Sequence, residues 1–180
     1  LYFTMKIAYF LHTTSTTDGS TKAFLHIIKQ LKELDINPLV ILPDKGALCR
    51  LLQEQKIPCI ALRHGTRPST YPPCNTIKDK IIFLPRLLGR MIINIIATCQ
   101  SYIILRRFRP DLIHTNTSVL TIGYYVARLL KIPHIWHLRE YEAWEFQSYP
   151  YPTFRYQQKR FQKSYSYTVP ITKALQHYYG

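Results

Sequence analysis

Apolar residues along this chain fall into two alternating patterns. Short, almost continuous apolar runs occupy positions 7–11, 38–42, 59–62, 112–114, 134–136 and 167–169, most of them bounded by Pro, Gly, Asp or Asn. Runs of that length without polar alternation are expected of parallel strands covered on both faces. Between them lie stretches with apolar spacings of three and four. The clearest is 20–34, where Ala23, Phe24, Ile27, Ile28, Leu31 and Leu34 make one stripe. Further helices are predicted over 47–55, 119–130, 153–163 with Pro152 at the start, and from 172 with Thr172 as N-cap. Strand and helix in strict alternation predict βαβ units and a doubly wound parallel α/β sheet of Rossmann-like type, order 3-2-1-4-5-6. No internal repeat is visible.

Two segments interrupt the rhythm. Residues 63–77, with Gly65, Pro68, Pro72 and Pro73, read as a long loop. Residues 78–109 are strongly apolar, with Arg86, Arg90, Arg106, Arg107 and Arg109 interspersed. The apolar part between Arg90 and Arg106 contains Asn94, Thr98, Gln100 and Ser101, and reads as too short and too polar to span a bilayer. A crossover helix packed on the sheet accounts for most of its apolar residues. The alternative is a helix lying in an anionic membrane interface, with Arg86, Arg90, Arg106 and Arg107 as the contacts.

The composition supports a folded domain. Of 180 residues, 47% are hydrophobic and 19% charged, which excludes disorder and collagen-like architecture. The net charge of +14 is uneven: residues 1–77 hold 9 basic and 5 acidic side chains, residues 78–180 hold 15 and 5. Such a surface suits anionic partners. Nucleic acid is not expected among them, because the tyrosines follow no RNP pattern and the basic residues form no dense run. Cys49, Cys59, Cys74 and Cys99 contain no C-x-x-C pair, and are read as reduced thiols of a cytoplasmic protein. Leu1 to Thr4 read as an added leader, with Met5 the natural start and no signal peptide.

Candidate chemistry clusters after the strands, where open α/β sheets bind ligands. After the first strand come His12 and a run of hydroxyls ending in Asp18, Gly19 and Ser20. This turn leads into a helix N-terminus suited to an anion, although G-x-G-x-x-G and the P-loop pattern are both absent. Asp18 or Ser20 as an ordinary helix cap is the plainer account. The fourth strand ends in His114, Thr115, Asn116, Thr117 and Ser118. There His114 is either a packed histidine or a ligand, and Asn116 and Thr117 are candidate caps of the next helix. The fifth ends in His137, Arg139 and Glu140, where Arg139 could meet a phosphate or Glu140. His114, His134 and His137 lack metal-ligand spacing, and no serine-hydrolase elbow is present.

These segments resemble the N-terminal half of GT-B glycosyltransferases of family 4, the group that builds bacterial capsule and O-antigen. The resemblance rests on residues 5–11 followed by Asp18-Gly19-Ser20, on Arg109-Pro110-Asp111-Leu112-Ile113-His114, on residues 131–140, and on 169–175 with Thr172 at the family's serine position. It implies that residues 5–180 form the acceptor-side Rossmann-like domain, with a separate donor-binding domain across the cleft, so that this domain alone would be inactive. It implies a retaining transfer, without metal or other cofactor, from a UDP- or GDP-sugar to a glycan or lipid-linked acceptor, at the inner face of the cell membrane. Gly19 matches the family's loop glycine, with Ser20 where a second glycine is usual. His137 matches a catalytic histidine near the transferred sugar. Asp18, Gly19, Ser20, His114, Asn116, Arg139 and Glu140 would then contact acceptor or donor phosphates. A non-enzymatic nucleotide-binding or membrane-docking module is the alternative.

Overall fold

The computed structural model describes residues 4–31, 34–66, 69–70, 76–142 and 149–180. Pro68, Pro72, Pro73 and Cys74 lie outside them. Strands β1 (Met5–Phe10), β2 (Ile36–Leu42), β3 (Cys59–Ala61), β5 (Leu112–Thr115), β6 (His134–Leu138) and β8 (Ser166–Pro170) form one sheet. Its order is β3-β2-β1-β5-β6-β8, and every pairing is parallel. Counting only these six strands, this is the order expected from the sequence. A two-residue antiparallel pair, β4 (Ser69–Thr70) with β7 (Tyr149–Pro150), was not expected; β4 falls within the stretch read as loop.

Helices α1 (Gly19–Leu31) and α2 (Ala47–Glu54) cover one face, and α3 (Ile77–Phe108) and α4 (Ile122–Leu130) cover the other. β1 shows why both faces are needed. Ile7, Tyr9 and Leu11 join Phe24, Leu48 and Leu52 on one side; Ala8 and Phe10 join Leu105, Leu120 and Val126 on the other. The pleat sends alternate side chains to opposite faces, so an uninterrupted apolar strand needs helices on both. A third cluster packs Trp136 and Leu138 of β6 and Tyr124 of α4 against α5 (Phe154–Phe161) and α6 (Lys173–Tyr179). Thr153 and Thr172 cap α5 and α6, each hydroxyl accepting a backbone N–H, from Tyr156 at 3.2 Å and Leu175 at 3.1 Å.

Gly123 explains how tightly α4 seats. A Cβ there would collide with the Thr115 side chain and press on Phe10 and Ile113.

Three expectations need correction. The helix predicted from 119 begins at Ile122, because 117–121 form a turn with its own side-chain bonds. β8 is not covered on both faces: Tyr167 and Val169 are exposed at the sheet edge. The largest correction concerns α3. It runs 32 residues with Pro85 inside it, so the apolar stretch is longer than the interval between Arg90 and Arg106 suggested. Residues Ile81–Phe108 are long and apolar enough to cross a membrane by length and composition, and only 17% of the most apolar window is buried. Packing therefore does not account for most of its apolar residues. Leu87, Asn94, Ala97, Ser101 and Leu105 face inward, while Ile81, Leu88, Ile92, Ile95, Ile96 and Ile103 are exposed. The helix stops where Arg109 turns left-handed (φ 56°) before Pro110.

Candidate functional site

Strand order reverses between β1 and β5, so the chains leaving these two strands diverge and open a crevice at the carboxyl rim. The rim's polar groups come from three segments far apart in sequence. Asn116, just past β5, is nearly fully buried and forms the junction. Its Nδ2 donates to the Ser20 carbonyl in the first turn of α1 at 3.0 Å. Its Oδ1 accepts from Arg139 Nε at 3.1 Å and Nη2 at 3.0 Å. The start of α1 and the guanidinium beyond β6 are thereby held together by one amide.

Arg139 Nη2 also lies 3.3 Å from His137 Nδ1. An arginine can only donate, so His137 accepts through Nδ1 and carries its proton on Nε2. Burial, and then the Arg139 charge, lower its pKa to about 4. His137 is therefore a neutral hydrogen-bond donor at neutral pH, not an imidazolium. The His114 ring lies 5.4 Å from that of His137 and 5.3 Å edge-on to Tyr9. Burial first, then His137 and Arg139, lower the pKa of His114 to about 3. Burial lowers the Arg139 pKa while Glu140 opposes it.

Glu140 does not bond Arg139. Its Oε1 accepts from Thr117 Oγ1 at 3.0 Å, and its Oε2 accepts from Ser118 N at 3.2 Å and Ser118 Oγ at 3.0 Å. Both carboxylate oxygens thus brace the turn after β5. Thr117 and Asn116 are spent in this network rather than in capping α4.

In the first loop, Asp18 accepts from Thr13 Oγ1 at 3.1 Å, and its carbonyl accepts from Lys22 N at 3.0 Å. Gly19 is exposed, and a Cβ there would meet nothing within 4 Å. The start of the helix is thus open to solvent at the rim. The rim therefore brings together Asp18, Gly19, Ser20, His114, Asn116, His137, Arg139 and Glu140. Arg86, Arg90, Arg106 and Arg107 do not join it: Arg90 bonds Thr66 Oγ1 at 3.4 Å, and Arg106 and Arg107 sit with Lys6 at the opposite edge of the sheet. Among the described residues no group of three His, Cys, Asp or Glu side chains is placed to hold a metal ion.

The sequence reading placed His12 in the loop but gave it no role, and passed over His64 and Gly46. His12 is kept below its ordinary pKa by burial, against the charges of Glu140 and Asp18. His64 buttresses the end of β1, its Nε2 2.9 Å from the Leu11 carbonyl and its Nδ1 2.7 Å from that of Leu62. Gly46 lets the first loop dock on α2, because a Cβ there would strike Thr14, whose carbonyl accepts from Leu48 N at 2.9 Å. A glycine just before a helix was the available signal for Gly46; nothing local marked His64.

No protein-family profile matches the sequence, and no curated protein matches it either. Solved structures do match. HepE from Anabaena, crystallised with UDP and glucose, superposes with a TM-score of 0.63 at 19% identity, over 97% of this chain and 40% of that one. A glycosyltransferase from Rickettsia africae matches at 0.61 and 12%, over 98% and 39%. A protein assigned provisionally as a UDP-N-acetylglucosamine 2-epimerase from Listeria monocytogenes matches at 0.55 and 12%, over 98% and 41%. This chain spans about 40% of the length of these structures. The likeness establishes the fold: a Rossmann-like α/β body of the kind found in GT-B glycosyltransferases.

Proposed function

We propose that this chain forms the acceptor-side wall of a retaining, nucleotide-sugar-dependent glycosyltransferase of the surface-polysaccharide type, with a donor-binding domain closing over the rim. The observation that carries the reading is the Asn116 junction, which sets the open start of α1, Arg139 and His137 around one crevice. In the reaction the bond from the sugar's anomeric carbon to the phosphate oxygen breaks while a bond from that carbon to an acceptor hydroxyl oxygen forms, the hydroxyl's proton passing to the leaving phosphate, and the nucleoside diphosphate departs after negative charge has grown on it. Backbone N–H groups at the start of α1 and the Arg139 guanidinium are donors suited to that charge. Arg139 is already oriented by Asn116, so little reorganisation is needed when charge develops. His137, neutral with its proton on Nε2, donates to a sugar hydroxyl. Glu140, with both oxygens engaged, is a positioning residue that holds the turn carrying Asn116. The donor is a UDP- or GDP-hexose, and HepE's bound UDP and glucose support that class. The acceptor is a glycan or a lipid-linked saccharide in the cytoplasm.

The match to the Listeria protein favours a second reading, rearrangement of the nucleotide-sugar without transfer. One assay separates them. The intact protein is incubated with UDP- and GDP-hexoses and a panel of saccharide acceptors, and products are read by mass spectrometry. Acceptor-dependent release of nucleoside diphosphate with a hexosylated product is expected. An isomerised nucleotide-sugar, or binding without any product, overturns the transferase reading.

A further inference from the structure

Helix α3 presents a surface that its own fold does not use. At about 100° per residue, the inward-facing Leu87, Asn94, Ala97, Ser101 and Leu105 form one narrow stripe. On the far side, Ile81, Leu84, Leu88, Ile92, Ile95 and Ile103 fall within an arc of roughly 120°. Ile92 and Ile95 are 57% and 59% exposed. Between Ile81 and Ile103 this arc contains no charged residue, and with Ile77 it extends the stripe to about 40 Å. Monomeric soluble proteins rarely leave so long an apolar surface in water.

The surroundings of the stripe indicate its occupant. Lys78 stands at the edge of the stripe near its beginning, whereas Arg86 and Arg90 fall toward the inward side of the helix. At its end Arg106, Arg107, Arg109 and Lys6 converge, with Tyr102, around a cavity of about 710 Å³ that no carboxylate lines. Beside the stripe, an apolar groove of about 920 Å³ between α3 and α4 is edged by Tyr125, Tyr151, Tyr156, Arg128 and Arg160. An apolar stripe bordered by arginine, lysine and tyrosine is the composition of an interfacial helix: the aliphatic residues enter the acyl region, and the cations and phenols stay at headgroup level. A second copy of so basic a face would repel the first.

We propose that this face seats the protein on an anionic phospholipid surface, α3 lying in the interface and the Lys6–Arg106–Arg107–Arg109 cluster taking up lipid phosphates. The helix lies on the membrane rather than crossing it, because Leu87, Ala97 and Leu105 anchor its inner side to the protein core. This surface is separate from the rim and stands whether or not the transferase reading does.

The test is co-sedimentation of the full chain with vesicles of phosphatidylcholine containing about one-third phosphatidylglycerol. Binding is expected to the mixed vesicles, weakened by about tenfold or more when phosphatidylglycerol is omitted or when Arg106 and Arg107 become Gln. Ile92→Glu with Ile95→Glu is expected to abolish it while circular dichroism is unchanged, since both side chains are in solvent. A second readout is a polarity-sensitive dye on the exposed Cys99, which lies on the stripe, with Cys74→Ser. Its emission should shift to the blue on mixed vesicles and return after alkaline carbonate wash. Absence of a blue shift, equal binding to neutral vesicles, resistance to carbonate, or a lipid-free dimer that Ile92→Glu dissociates would each overturn the proposal.

Discussion

The carboxyl rim and the outer face of α3 are opposite in construction. At the rim, Asn116 binds Arg139 and the Ser20 carbonyl, and Glu140 binds Thr117 and Ser118. Each of these polar groups is held by a partner 22 to 96 residues away in sequence. Along α3, long aliphatic side chains are exposed to solvent. Polar groups that are buried must be satisfied internally, so the rim is stiff and its geometry is set before any ligand arrives. An exposed apolar face has no such internal demand, and its stabilisation comes from whatever covers it. The comparison therefore assigns the two regions different sensitivities: rim changes should alter activity or stability, and α3 changes should leave both alone in lipid-free buffer.

The largest effect is expected at Arg139. Arg139→Ala removes the cation and leaves Asn116 Oδ1 without its donors, so turnover of the intact protein should fall by about 100-fold or more. A fall of less than about threefold would remove Arg139 from the phosphate site. On the proposed reading, His137→Ala deletes one hydrogen bond to the sugar and should lower turnover by about 10- to 100-fold with the fold intact by circular dichroism. Unchanged turnover would exclude His137 from substrate contact.

Glu140→Gln should destabilise by about 1–3 kcal/mol, because an amide cannot accept all three bonds that the carboxylate receives. A urea midpoint equal to that of the wild type would show that the brace is dispensable.

Stability should also depend on pH in a stated direction. His114 and His134 are held near pKa 3 and His137 near 4, each chiefly by burial, against about 6.5 in the unfolded chain. As pH falls below about 6.5, the unfolded chain binds protons that the folded one refuses, so stability is complete above that pH and is lost progressively toward pH 3. Urea midpoints measured between pH 7 and 4.5 should decline, and His134→Gln should flatten the decline. A flat profile would contradict the buried neutral histidines. The smallest effect is expected on α3, where Ile95→Ser should change stability by no more than about 0.5 kcal/mol. A larger loss would mean that the stripe is covered within the protein.

Much of this could be read from the chain. The apolar runs located all six strands of the sheet, and the polar tips at Gly19, His114 and His137 marked the rim, because strand ends in a parallel sheet share one edge. Thr172 as a cap was also legible, since an N-cap acts over three residues. The roles of the polar groups were not. Arg139 and Glu140 are adjacent in sequence, yet one turns to Asn116 and the other to Thr117 and Ser118. His64 supports β1 across 53 residues. Gly123 interrupts a helical pattern at a propensity cost of about 1 kcal/mol against Ala, a visible oddity whose cause is contact with Thr115.

The sequence by itself determined the sheet, its parallel order and the edge where the polar strand tips gather, because periodicity and turn residues act over a few positions and each apolar strand must be buried. Only the tertiary structure decided which polar groups satisfy one another and which side of α3 remains uncovered. A helix of thirty-two residues offers more apolar surface than one face of this sheet can cover, and how much is left over depends on packing, not on the pattern that made the helix.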